Sequence, residues 1–257
     1  MDTAPDRSVR GRLILVTGGA RSGKSTYAER LAARFAEPCG GRVTYIATSQ
    51  AHDEEMAQRV SVHVASRPAT WTTVECPLDV PEAVRAAAAP AATAAGMSGG
   101  DPGAPVVSPV LLLDCVTLWV TNLLFQDGAL GGSEPPEDGF NYDKGLLPPA
   151  EERAAAARVT AAVERLLEAV ATSGVTLVAV TNEVGLGVVP EYPLARLYRD
   201  QLGWANQRLA RDADGLYLLV SGYALDLKAL TAGPAATASA AGDPSGDELP
   251  SSPKEQQ

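Results

Sequence analysis

The sequence predicts an α/β fold with a mainly parallel sheet, helices on both faces and a phosphate-binding turn after the first strand, and three observations carry that expectation. Short apolar runs alternate with longer helical patterns, as in strands joined by crossover helices. The apolar runs are nearly continuous rather than alternating with polar residues, which is how strands covered on both faces read. The first run passes directly into a glycine-rich turn followed by a helical pattern, a setting in which backbone amides cradle phosphate.

Taken in order, Leu13–Thr17 (LILVT) is the first strand and Ser25–Phe35 the first helix, rich in helix formers. Val43–Ala47 (VTYIA) is the second strand, and Asp53–Val64 a helix with an acidic first turn. Val110–Leu113 is a third strand, followed by a helix over Thr117–Leu124. Ala150–Thr172 is a long amphipathic helix, Val175–Thr181 a fourth strand, Leu194–Ala213 a helix around Gly203, and Gly215–Val220 the last strand. One domain therefore occupies residues 12–230. Residues 1–11 read as a flexible arm. Residues 231–257, rich in Ala, Gly, Ser, Pro and acid, read as a disordered tail with too little apolar surface to order itself. Stretches near 86–105 and 126–149 read as surface insertions, the alanine-rich start of the first being helical.

The 257 residues are 46% hydrophobic and 5% aromatic, so the core is built mostly of Leu, Val and Ala. A net charge of −10 argues against a nucleic-acid partner, while leaving room for a local basic pocket that takes a phosphorylated small molecule. No apolar run approaches the roughly 20 residues of a membrane span, and the first residues lack the apolar core of a secretory signal. Cys39, Cys76 and Cys115 are too few and scattered for a disulfide framework or zinc site. A cytoplasmic location is the expectation.

Gly18-Gly19-Ala20-Arg21-Ser22-Gly23-Lys24-Ser25 matches G-x-x-x-x-G-K-[ST] between a strand and a helix. The glycines let successive N–H groups turn toward phosphate oxygens, and the following helix adds the positive end of its dipole. Lys24 supplies a point charge to the β/γ-phosphates, expected to face solvent when no nucleotide is bound, and Ser25 a hydroxyl to Mg²⁺. Arg21 either contacts phosphate or stays solvated. Asp114 ends the strand Val110–Leu113, where a carboxylate is costly without a task. It fits a magnesium ligand, direct or through water, or the N-cap of the next helix.

These residues carry a family resemblance. The runs ILVTGGARSGKSTYAERLA, YIATSQAHDEEMAQRVSVHVASRPATWTTVE, LLLDCVTLWVTNLLF, VTNEVGLGVVPEYPLARLYRDQLGWANQRLA and YLLVSG resemble the bifunctional adenosylcobinamide kinase / adenosylcobinamide-phosphate guanylyltransferases of cobalamin biosynthesis. The resemblance implies phosphorylation of adenosylcobinamide by ATP or GTP, then GMP transfer from GTP to that phosphate through a guanylyl-histidine. It also implies a RecA-like P-loop NTPase fold, a homotrimer and a corrinoid substrate.

By the resemblance His63, in HVASRPATW, is the guanylylated residue; read alone, a lone helical histidine is usually just an exposed one. A neutral imidazole suits nucleophilic attack, and its phosphoramidate is a good leaving group. His52 reads as a solvated loop residue. Ala47, Thr48 and Ser49 resemble guanine-nucleotide contacts. Val64, Ala65, Ser66 and Arg67 align with the family's loop over bound GMP, and Arg67 either offsets α-phosphate charge or makes a surface ion pair. Glu75 resembles the residue that reads guanine, since a carboxylate accepts from N1–H and the exocyclic amine together. Val180–Gly185 lines the pocket mouth, there to bind corrinoid, orient the γ-phosphate or simply turn the chain; the residues alone single out no base for phosphoryl transfer. Two other readings are a P-loop kinase for another small alcohol without guanylyl transfer, and a nucleotide-dependent switch.

Overall fold

A computed structural model of the chain describes residues 10–49, 67–97, 108–126 and 148–231. The elements are β1 (Arg12–Gly18), α1 (Lys24–Ala36), a 3-10 turn (Glu37–Cys39), β2 (Val43–Ala47), β3 (Trp71–Glu75), α2 (Val80–Met97), β4 (Val110–Asp114), α3 (Val116–Phe125), α4 (Pro149–Ser173), β5 (Thr176–Val180), α5 (Pro193–Asp212), β6 (Gly215–Val220), β7 (Tyr223–Asp226) and α6 (Leu227–Thr231). One sheet runs in the order β3-β2-β4-β5-β1-β6-β7. Every neighbouring pair is parallel except β6 and β7.

Side chains alternate across each strand and so supply two cores. On one face Ile14, Val16, Tyr45, Leu112 and Val178 pack against Ala28, Leu31, Ala32 and Ala36 of α1. On the other, Leu13, Leu15, Ile46, Leu111, Leu113 and Leu177 pack under α2, α3, α4 and α5. Trp119 of α3 is fully buried there, its indole N–H donating to the Leu78 carbonyl at 2.7 Å. Burial on both faces explains the unbroken apolar runs of β4 and β5.

The expected strands and helices are present with ends shifted by a residue or two, apart from the helix expected at 53–64, which falls outside the described residues. Two strands were not expected. β3 is an edge strand whose outward residues are solvated. β7 folds back on β6 through Ser221 and Gly222, both at positive φ, the two-residue turn matched to strand twist. The alanine-rich stretch at 86–97 continues α2 from Val80 to Met97, in line with its expected helical start. Gly11, placed in the expected arm, is buried: a Cβ there would lie 1.9 Å from the Val170 carbonyl oxygen. Residues 1–9, most of 126–149 and 232–257 lie outside the described residues. No described helix is long and apolar enough to cross a membrane.

Candidate nucleotide site

The carboxyl ends of β1, β5, β4, β2 and β3 form one rim, the side on which parallel sheets bind ligands. The turn after β1 has the predicted curl. Gly18 has φ 150° and Gly23 has φ 92°. A Cβ on Gly18 would stand 2.4 Å from the Leu219 carbonyl oxygen, so only glycine fits. The turn is tied down from two sides: the Glu183 N–H donates to Gly18 O at 3.1 Å and the Gly222 N–H to Ser22 O at 3.0 Å. Arg21 has φ 55° and is exposed, as are Gly19 and Ala20. Ser22 Oγ and Thr17 Oγ1 are buried with no hydrogen-bond partner among the described residues. Orphaned hydroxyls beside a curl of backbone amides suit phosphate oxygens.

Lys24 departs from expectation. It is only 8% exposed, and its ammonium donates to Gly19 O at 2.6 Å, folded back over the turn. A buried cation needs partners, and the Gly19 carbonyl provides one. Burial lowers its pKa, against the raising effects of Cys115 and Asp114. Burial and then Asp114 push the Cys115 thiol up to about 11. The thiol is therefore neutral near pH 7, and Asp114 carries the opposing charge.

Asp114 is half-buried at the end of β4, and its Oδ2 accepts from the Tyr45 hydroxyl at 2.8 Å. The cap of α3 is Cys115, whose sulfur accepts from the Leu118 N–H at 3.5 Å. That removes the N-cap reading of Asp114. Burial first, and then Asp114, raise the Tyr45 pKa well above its ordinary value, so Tyr45 remains a donor. Half-buried Ser25 and Asp114 both offer oxygen, the donor type Mg²⁺ takes from a protein when phosphates and water complete its shell. No group of three or more His, Cys, Asp or Glu side chains that could hold a metal occurs among the described residues.

Farther along the rim, Thr48 is fully buried and joins β2 to β4. Its hydroxyl donates to Cys115 O and accepts from the Cys115 N–H, both at 2.8 Å, and its carbonyl accepts from Asn122 Nδ2 at 2.8 Å. Ala47 is buried beside it and Ser49 is half-buried. Among the described residues Arg67 has no ion-pair partner. Its guanidinium carbon lies 3.3 Å from the centre of the Tyr45 ring, and Nη1 donates to Thr73 Oγ1 at 2.8 Å. Glu75 is exposed at the end of β3. His63, Val64, Ala65, Ser66 and His52 lie outside the described residues. Tyr45, Thr117, Asn122 and Asn206 hold the rim together and were not singled out in the sequence. A lone Tyr inside a buried strand gives no signal until the register sets it beside Asp114.

A phosphate turn after the first strand of a parallel sheet, with a carboxylate two strands away, defines a P-loop nucleotide-binding protein. A family model described as cobinamide kinase / cobinamide phosphate guanyltransferase matches residues 14–95 and 104–227, and the chain belongs to that family. It is 42% identical over 216 residues to the bifunctional adenosylcobalamin biosynthesis protein CobU of Salmonella typhimurium, covering 84% of this chain and 99% of that one. Identity to the CobU protein of Escherichia coli is 40% over 216 residues, with 84% and 99% covered. To the bifunctional adenosylcobalamin biosynthesis protein CobP of Pseudomonas aeruginosa it is 37% over 214 residues, with 83% and 96% covered.

Proposed function

We propose that this protein phosphorylates the alcohol of adenosylcobinamide with ATP or GTP and then transfers GMP from GTP to that phosphate through a guanylyl-histidine on His63. The observation that carries the reading is the intact phosphate turn, with Lys24 and Asp114 beside it, in a chain that spans its bifunctional relatives almost end to end. Gly18 to Ser25 hold the triphosphate. Ser25 and Asp114 would hold Mg²⁺, which would supply charge neutralisation on the phosphates. Lys24 gives up Gly19 O for a phosphate oxygen. Arg67 and Glu75 serve the α-phosphate and guanine at the β2–β3 end of the rim. The three free cysteines suit the reducing cytoplasm, and the reading includes a homotrimer.

His63→Asn tests it. The first transfer needs a phosphate turn, metal and a positioned alcohol but no protein nucleophile. The second needs the imidazole itself. The variant should phosphorylate adenosylcobinamide while losing covalent labelling by α-labelled GTP and formation of adenosylcobinamide-GDP. Labelling at the parent rate would overturn the histidine assignment. A parent that phosphorylates the alcohol but is never labelled would be a kinase alone.

A further inference from the structure

The loop from β5 to α5 is anchored at both ends yet presents bare apolar side chains. At its start the Asn182 N–H donates to Thr117 Oγ1 at 2.9 Å, and the Asn182 carbonyl accepts from Asn206 Nδ2 at 2.9 Å. The next residue, Glu183, donates its N–H to Gly18 O at 3.1 Å. At the far end Arg196 Nη1 donates to the carbonyls of Pro190 at 3.0 Å and Glu191 at 2.5 Å. Between these anchors Leu186, Val188 and Val189 are 89%, 96% and 63% exposed. Scattered apolar residues on a surface are ordinary, but three within four positions of a pinned loop mark a contact surface.

The loop also stands in the right place. β5 lies between β1 and β4, and Val180 pairs with both Val16 and Asp114. Three residues on, Glu183 leaves the sheet between the phosphate turn and the magnesium carboxylate. Its Oε1 accepts from the Gly185 N–H at 2.7 Å, which fixes the carboxylate ahead of the apolar residues. A base and an apolar apron thus follow one another at the edge of the phosphate site.

We propose that this loop is the acceptor subsite: Leu186, Val188 and Val189 pack against the apolar face of the corrinoid, and Glu183 takes the proton of its alcohol. The proposal rests on the functional reading above and supplies the base and acceptor contacts that it lacks. In the step, the hydroxyl oxygen bonds to the γ-phosphorus and the bond from that phosphorus to the β–γ bridging oxygen breaks. The nucleoside diphosphate leaves with the electron pair, and the hydroxyl proton passes to the Glu183 carboxylate. A second copy of the chain is the other occupant such a surface could take. Continuity with Gly18 favours the acceptor, because the alcohol must come within bonding distance of a phosphate held in that turn.

The full-length protein with adenosylcobinamide, MgATP and α-labelled GTP separates these outcomes. Leu186→Ser/Val188→Ser should raise KM for adenosylcobinamide at least about 10-fold, weaken its binding by calorimetry equally, and leave KM for ATP and covalent GMP labelling unchanged. Glu183→Gln should lower kcat for phosphorylation at least about 100-fold, with acceptor KM and GMP labelling retained. An unchanged acceptor KM, or a fall in molecular mass by light scattering in the double variant, overturns the subsite. Loss of labelling in Glu183→Gln overturns its role as base and makes it a support of the phosphate turn. If the parent itself is inert toward adenosylcobinamide, the functional reading fails and the loop assignment with it; an active parent with unmoved variants overturns the loop assignment alone.

Discussion

Replacing Lys24 with Met tests the phosphate turn and its buried charge together. Met keeps the length of the side chain and removes the ammonium that donates to Gly19 O at 2.6 Å. Losing that charge-assisted bond costs about 1.5–3 kcal/mol, and releasing a desolvated charge returns a similar amount. At about 2–4 °C per kcal/mol for a domain of this size, the nucleotide-free Tm should move by no more than about 3 °C. The response to nucleotide should collapse. A charge pair about 4 Å apart is worth about 4 kcal/mol at an effective dielectric constant of 20, so a 100-fold loss of affinity is a modest expectation. A ligand at about 100 times its Kd stabilises by about 2.7 kcal/mol, and after that loss by only about 0.4 kcal/mol. Thermal melts with MgATP or MgGTP should then show a shift of about 5–10 °C in the parent and about 1 °C in the variant. Burial also lowers the Lys24 pKa below its ordinary 10.5. Between the lowered value and 10.5 the unfolded chain binds more protons than the folded one, so the nucleotide-free parent gains stability as pH rises through that window. Lys24→Met should lose that gain. A variant with the parent's nucleotide shift and pH slope would refute both the burial and the phosphate role.

Tyr45→Phe removes the donor to Asp114 at 2.8 Å, a bond to a charged group worth about 1.5–3 kcal/mol; about 10-fold more Mg²⁺ should be needed for half the nucleotide-induced Tm shift, and an unchanged requirement would show that Tyr45 does not orient the carboxylate. Gly11→Ala would place a Cβ 1.9 Å from Val170 O and 3.0 Å from Val175 O, both backbone; an overpacking cost near 3 kcal/mol should lower Tm by about 6–12 °C, whereas an unmoved Tm would mean the chain before β1 is slack. Glu75→Gln should raise KM for GTP in covalent labelling by about 10-fold or more, because an amide N–H meets the guanine donors, and leave ATP-driven phosphorylation alone; equal loss in both assays would mean Glu75 does not read the base.

The elements buried on two faces were legible because burial writes itself as unbroken apolar sequence. LILVT and VTLVAVT show this best. β3 was not, because Thr72, Val74 and Glu75 face solvent at the sheet edge, and five half-exposed residues carry little periodicity. The four residues of β7 are likewise short and half-exposed, and exist as a strand only because β6 offers an edge. Composition hid the length of α2: the Pro and Gly count over 86–105 reads as loop, yet the helix runs through Pro90 to Met97. The phosphate turn was legible from a local motif because its function is carried by consecutive backbone amides. The state of Lys24 was not, since folding back onto the Gly19 carbonyl depends on the path of the turn in space rather than on the motif.

The register gives the rim a direction. Glu75 pairs with Ala47, Ala47 with Asp114, Asp114 with Val180 and Val180 with Val16. Four strand steps separate Glu75 from the strand that feeds the phosphate turn, about 19 Å at about 4.8 Å per step. A nucleotide whose base meets Glu75 and whose phosphates reach the turn must therefore lie along the rim, with its α-phosphate past Asp114 toward Ser49 and Arg67. Those two residues bracket the part of the chain that contains His63. The γ-phosphate then falls at the other end, where Glu183 and the apolar loop stand. On this arrangement the two transfers use opposite ends of one bound triphosphate. A single phosphate turn would then suffice, and His63 and Glu183 should be separable by mutation where Lys24 and Asp114 are not.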